Sequence, residues 1–366
     1  MNITERNIRI VKDTIGKLEL KLEGLTVLVE CASGFYSYTP IIALLAGAER
    51  VFVCGKDTRY GKFDDNKTNI LTIADSFLLD SSKFSFFRDH VPEEFIKEID
   101  IVTNTGQIRP ITKEFIECMN STAVISLMWE TWEFRMEDLD IVACQKKGIP
   151  VIGTNEDYEK IKLFDYDGIL AVKLLLDLGL EVHNNKVVLI GGGIVGIHIV
   201  KLLDKLSIFN VWITETGTER KENCYSLQEI DKILEFKSID VIIFAELHFK
   251  EELVGRNNKY LSFSQLKNHF SDIRVGHISG NIDIDELKNS GIFFLPQNIR
   301  QIGYISFGLE EIGAKPVIEL MASGLKVGEI ATRSRKNGSS IEESITKTVE
   351  YGIGQDFEKG FMHFRP

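Results

Sequence analysis

The chain has 366 residues, a formal net charge of −11, 44% hydrophobic residues and 27% charged residues. That length suits two or three domains with ordinary cores, and the acidic balance argues against broad binding to a nucleic-acid backbone. The five cysteines, Cys31, Cys54, Cys118, Cys144 and Cys224, form no CxxC pair, which argues against a disulfide framework and a structural zinc site.

The amino terminus, MNITERNIRIVKD, lacks the apolar core of a secretion signal, and no apolar run reaches membrane-spanning length. A soluble cytoplasmic protein with reduced thiols is expected, with neither nucleic acid nor membrane as a partner. In chain order, LTVLVE (25–30) reads as a strand, followed by a Gly/Ser/Tyr/Pro turn and the helical stretch PIIALLAGA. RVFVCGK (50–56) reads as the next strand. IDIVTN (99–104) and AVISLM (123–128) follow as strands, separated by the helical ITKEFIECMN, and the helical MEDLDIVACQKKG leads into IPVIGT (149–154). A long amphipathic helix is expected within 156–182. A second series then opens with VVLIGGG and continues through NVWITET, IDVIIFAE, IRVGHIS and IFFLP. After Pro296 the pattern changes to a helical PVIELMASGLKVGEIATRSRKNG and a weakly patterned tail.

Strands alternating with helices imply βαβ units and parallel sheets. The expected fold is α/β, with two doubly wound parallel-sheet domains. Residues 1–160 together with 306–366 form a substrate domain, to which the tail returns, and residues 161–305 form a Rossmann dinucleotide-binding domain. The substrate is expected in a cleft between the two.

Gly191, Gly193 and Gly196 make GxGxxG between the apolar strand KVVLI and the helical IHIVKLLDKL. The first glycine permits a tight turn, the second lets the backbone approach a pyrophosphate, and the third lets helix and strand pack closely. Ile194 and Val195 lie in the same loop, where a helix amino terminus offers N–H groups to phosphates. Glu215 ends the next strand, about 20 residues beyond the glycines. A carboxylate there accepts ribose hydroxyls and repels a 2′-phosphate, which favours NAD over NADP, although Arg220 lies nearby. Ala245 and Glu246, and then His277, Ser279 and Asn281, fall at later strand ends, where open α/β sheets hold ligands.

Hydride transfer needs a general acid/base and usually a cation. Lys162 is one acid/base candidate, where burial would lower its pKa; its bland alternative is a surface lysine. His277 is the second, against a histidine satisfied by backbone groups. His248 is a weaker candidate, and His198 reads as structural. Arg109 and Arg135 are candidate anion holders. The cluster Trp129-Glu130-Thr131-Trp132-Glu133-Phe134 lines a pocket or plugs a core. Tyr36 and Tyr38 close a pocket or cap a helix. No metal signature, nucleophile elbow or P-loop is present.

The order of parts resembles the two-domain NAD-dependent superfamily of D-2-hydroxyacid dehydrogenases, alanine dehydrogenases and S-adenosylhomocysteine hydrolases. Within it, IPVIGTNEDYEKIKLFDYDG followed by VVLIGGGIVG resembles the segment by which S-adenosylhomocysteine hydrolases enter their NAD domain. The resemblance makes Asn155, Lys160, Lys162, Phe164 and Asp165 counterparts of that segment and places Glu130 at a Glu-Glu-Thr motif. Departures are TNTGQIRP in place of an Asp-rich loop, a displaced His277 and missing adenosine-binding insertions. The reading is therefore a divergent NAD-dependent oxidoreductase acting on a small polar metabolite of carboxylic or amino acid type. The alternatives are transient oxidation by tightly held NAD, as in the hydrolases, and a non-catalytic NAD or nucleotide sensor. A homodimer is expected by analogy of fold.

Overall fold

Short runs of Val, Ile, Leu and Phe bounded by polar turns become strands buried on both faces, as parallel sheets covered by helices require. The computed structural model describes residues 5–215, 222–247, 249–300 and 303–357. The chain divides into one unit of Met1–Leu163 with Gly313–Pro366, and a second of Phe164–Ile312.

In the first unit the strands are β1 (Thr26–Glu30), β2 (Arg50–Gly55), β3 (Phe84–Arg88), β4 (Ile101–Thr103), β5 (Val124–Ser126) and β6 (Val151–Thr154). They lie in the order β6-β5-β4-β1-β2-β3 and pair in parallel. In the second unit β7 (Lys186–Ile190), β8 (Phe209–Ile213), β9 (Cys224–Tyr225), β10 (Val241–Ala245), β11 (Arg274–Ser279) and β12 (Phe293–Leu295) lie in the order β12-β11-β10-β7-β8-β9, again in parallel. Each sheet thus runs outward in both directions from a central pair, β1/β4 and β7/β10. Those pairs are the topological switch points, beyond whose carboxyl ends ligands sit in this class of sheet.

The weakly patterned tail holds regular structure. Helix Ala314–Lys336 packs on helix Glu5–Leu18 and against β4, β5 and β6. Helix Ile341–Glu350 follows behind a Ser340/Glu343 capping box, and β13 (Gly354–Asp356) then pairs antiparallel with β6. The tail therefore completes the first unit.

Several elements differ from the sequence reading. Glu5–Leu18 is an amphipathic helix inside the polar amino-terminal stretch, and Phe63–Ser76 and β3 supply a helix and an edge strand between the second and third expected strands. The helix expected over 156–182 spans only Asp165–Asp177. The residues before it turn, with Lys162 in the left-handed region at φ 49° and Asn155 donating to the Gly352 carbonyl at 2.8 Å. Among the described residues no helix is long and apolar enough to cross a membrane.

The long tail helix is held by a buried ion pair. Lys326 Nζ lies 2.9 Å from Glu329 Oε2 and donates to the Glu19 carbonyl at 2.8 Å, while the same Glu329 oxygen accepts from the Lys21 amide at 2.9 Å. The Tyr351 ring covers Lys326 Nζ at 5.3 Å. Removing one member of such a pair strands the other charge without its counter-ion. Glu329→Ala is expected to lower the unfolding free energy by about 3 kcal/mol, measured by chemical denaturation; a change below about 0.5 kcal/mol would contradict this account of how the tail is fastened.

Candidate dinucleotide site

β7 runs straight into a glycine loop and then helix Gly193–Lys205. Gly191 has φ 155°, and a Cβ there would stand 2.1 Å from the Ala245 carbonyl oxygen at the end of β10. No other residue fits between the two central strands. Gly193 has φ 62°, the left-handed conformation that glycine adopts without steric cost. A Cβ on Gly196 would lie 3.0 Å from the Gly191 oxygen, so the helix packs on its own loop. The helix has no acidic residue in its first turn, so no carboxylate of that turn offsets its positive end.

The strands beside the loop bring other groups to the same sheet edge. Glu215 follows β8, is exposed and accepts the Leu227 amide at 2.8 Å. Glu246 follows β10, is buried, and accepts the Phe249 amide at 3.1 Å. Its own amide donates to the Ser279 carbonyl at 3.3 Å. Ser279 closes β11, and its buried hydroxyl has no partner among the described residues. Ile194 and Val195 lie in the first turn of the helix. Arg220 and His248 lie outside the described residues.

The expected acid/base residues are engaged differently from their sequence reading. His277 lies within β11 and is fully buried. Its Nε2 lies 3.0 Å from the Gly280 carbonyl, and its Nδ1 lies 3.1 Å from Ser306 Oγ. A carbonyl only accepts, so Nε2 carries the hydrogen and Nδ1 accepts from the serine hydroxyl. Burial pushes the imidazole down from 6.5 to about 4. The ring is a neutral strut, and both of its nitrogens are occupied. Lys162 is exposed rather than buried, donating to the Asp157 carboxylate and carbonyl, each at 3.1 Å. His198 faces Asp165 at 3.1 Å and joins helix Gly193–Lys205 to helix Asp165–Asp177.

In the first unit, Arg109 stacks on Trp129 at 4.2 Å, meets Asp138 at 2.9 Å, and donates from Nε and Nη2 to the Asn104 carbonyl. Arg135 reaches the same Asp138 oxygen at 3.0 Å. Both guanidiniums are thus bound to the protein's own carboxylate and brace the loop after β4. Glu130 is buried and accepts from the Glu156 amide at 2.8 Å and from Gln355 Nε2 of the tail. Desolvation raises its pKa. Glu133 is pushed up to about 7, first by desolvation and then by the negative Glu130. Tyr38 is fully buried, its hydroxyl accepting from Asn7 at 3.1 Å, and Tyr36 lies in the short 3-10 helix Gly34–Tyr38. Lys160 lies 3.6 Å from Glu19.

Two buried polar residues at the first sheet's switch point escaped the sequence reading. Glu30 ends β1, accepts the Gln107 amide at 3.1 Å, and has its pKa raised by burial. Asn104 follows β4 and is fully buried, and neither atom of its side-chain amide has a partner among the described residues. The available signal was a glutamate closing an otherwise apolar strand.

No protein-family model and no curated protein sequence matches the chain. Among solved structures it is similar to a dipicolinate synthase subunit from Bacillus halodurans, with 13% identity and a TM-score of 0.51, over 83% of this chain and 97% of that one. The two chains share a fold. Weaker likenesses are to an NADPH-dependent glyoxylate/hydroxypyruvate reductase from Sinorhizobium meliloti (11% identity, TM-score 0.45, 80% of this chain and 95% of that one) and to D-lactate dehydrogenase from Lactobacillus jensenii (11%, 0.45, 79% and 98%). At 13% identity the likeness to the synthase subunit is one of fold. The narrower resemblance to S-adenosylhomocysteine hydrolase rests on the sequence segments alone.

The buried His277 gives the protein a specific acid sensitivity. Its folded pKa of about 4 lies below the ordinary 6.5. Between those values the unfolded chain binds a proton that the folded chain refuses, so stability falls as pH drops from 6.5 towards 4 and levels off below. The contribution is on the order of 3 kcal/mol. Unfolding of the wild type and His277→Asn at pH 7 and pH 4.5 is expected to show the smaller pH loss in the variant; equal losses would refute it.

Proposed function

We propose that the chain is an NAD-dependent oxidoreductase acting on a small polar metabolite of carboxylic or amino acid type. The observation that carries this reading is the coincidence, at one switch point, of a glycine loop closed against Ala245 with an exposed Glu215 at the end of the neighbouring strand. The residues fit the cofactor. Side chains are excluded at Gly191 by the Ala245 carbonyl and at Gly196 by the Gly191 oxygen, the first turn of the helix carries no acidic residue, and Glu215 offers a carboxylate acceptor for ribose hydroxyls. When bound, NAD supplies the hydride acceptor. Gly191 to Gly196 hold the phosphates, Glu215 holds the ribose and selects against a 2′-phosphate, and Ala245, Glu246 and Ser279 edge the site.

The first unit's role in this reading is to recognise substrate through Glu30 and Asn104. A buried side-chain amide with both ends unpaired is costly unless a polar group meets it. Glu133 is the proposed proton carrier, since a group near pKa 7 exchanges protons readily at neutral pH. Turnover in the direction that needs Glu133 ionised falls as pH drops below about 7. Glu133→Gln lowers kcat by about a hundredfold; an unchanged kcat and pH profile would remove Glu133 from the reaction.

A second reading is a non-catalytic NAD sensor. It is favoured by one observation: His277, Lys162 and Arg109 are each engaged by the protein itself. Calorimetric titration with NAD and NADP tests the shared part of both readings. Micromolar binding of NAD, weaker binding of NADP, and about tenfold weaker NAD binding by Glu215→Ala are expected. Binding of neither dinucleotide would overturn both, while binding without turnover of any carboxylic or amino acid, followed at 340 nm, would select the sensor.

A further inference from the structure

β8 carries Trp212, a nearly fully buried indole in the same core cluster as Val195 and Ile199 of the helix after the glycine loop. Its Nε1 donates to the Gly191 carbonyl oxygen at 2.7 Å. That bond reaches sideways, from the second strand of the sheet to the first residue of the loop after β7. The Gly191 amide is already fixed by the Ile213 carbonyl at 3.0 Å, so the residue is held at both its N–H and its C=O.

The consequence follows from peptide geometry. In a planar trans peptide the C=O and the following N–H point in opposite directions. Pinning the Gly191 oxygen inward onto the indole therefore turns the Gly192 N–H outward, away from the core. Gly192 is the N-cap of helix Gly193–Lys205, so this N–H stands at the helix amino terminus, where an anion can accept it. Glycine on both sides of the peptide leaves it little torsional preference of its own. The space is shared closely, since a Cβ on Gly196 would stand 3.4 Å from Trp212 Nε1.

We infer that Trp212 is a positioning residue for pyrophosphate, orienting the Gly191–Gly192 peptide so that its N–H faces the phosphates. This rests on the dinucleotide reading above and adds to it a residue that never touches the ligand. The indole acts only through the loop, so its effect falls on ligands that carry the pyrophosphate. Adenosine, which lacks phosphate, is indifferent to the peptide's orientation.

The test compares the wild type with Trp212→Phe, which keeps an aromatic ring and removes the N–H. Dissociation constants are measured for NAD, ADP-ribose and adenosine. The expected result is about tenfold weaker binding of NAD and ADP-ribose with adenosine within twofold of the wild type. Equal weakening of all three ligands would mark a general packing role and overturn the inference, as would unchanged NAD binding. A wild type that binds neither NAD nor ADP-ribose would instead show that the dinucleotide reading itself fails. Should the variant not fold, the wild type labelled with 15N-tryptophan serves alone. Its three indole N–H resonances, from Trp129, Trp132 and Trp212, are followed on titration with ADP-ribose and with adenosine. A Trp212 shift with ADP-ribose only is expected; no Trp212 shift, or the same shift with both, would overturn the inference.

Discussion

The tightest constraint in the second unit is the contact between Gly191 and the Ala245 carbonyl, where a single added carbon would stand 2.1 Å from oxygen. β7 and β10 are the central pair from which the sheet winds in both directions. The loop that leaves β7 must turn under the end of β10 before its helix can begin, and only an unsubstituted backbone makes that turn. The helix start, the approach of Gly196 to the Gly191 oxygen and the placing of Glu215 and Glu246 along the same sheet edge all depend on it. A larger residue at 191 separates strands as well as blocking a phosphate, so architecture and the proposed binding site share one requirement.

The first unit repeats the strand order without repeating the site. Where β7 leads into glycines and a 13-residue helix, β1 leads through Cys31 and Ala32 into the short 3-10 helix Gly34–Tyr38, whose last tyrosine is buried in the core. Where the second switch point closes the Gly191 loop on the Ala245 backbone, with the buried carboxyl of Glu246 beside it, the first holds the carboxyl of Glu30 and the amide of Asn104. A backbone-lined edge suits phosphate, and an edge carrying side-chain donors and acceptors suits a small polar molecule. In the proposed reading, the two sheets would take different ligands because of their last strand residues rather than their topology.

Much of the fold was legible because buried parallel strands are continuous apolar runs, and LTVLVE, RVFVCGK, KVVLI and IDVIIFAE are such runs. The amino-terminal helix was hidden by its polar face, and β13 by its three residues and its dependence on β6 for pairing. The glycine loop was legible because its geometry is local. The fate of the ionisable residues was not, because their partners are remote in sequence. Arg109 is neutralised by Asp138 across 29 residues, His277 is tied to Ser306 across the same separation, and Glu130 is held by Gln355 across 225 residues. Lys162, expected to be buried where the two domains join, instead lies exposed in the turns that precede helix Asp165–Asp177.

The central claim is that a dinucleotide lies over the loop from Gly191 to Gly196. Diffraction from crystals grown with NAD tests it most directly. The account predicts density for the pyrophosphate against the amides of Gly192 to Ile194, with a ribose hydroxyl on Glu215. Ordered cofactor elsewhere on the chain, or a glycine loop that stays bare at saturating NAD, would contradict it.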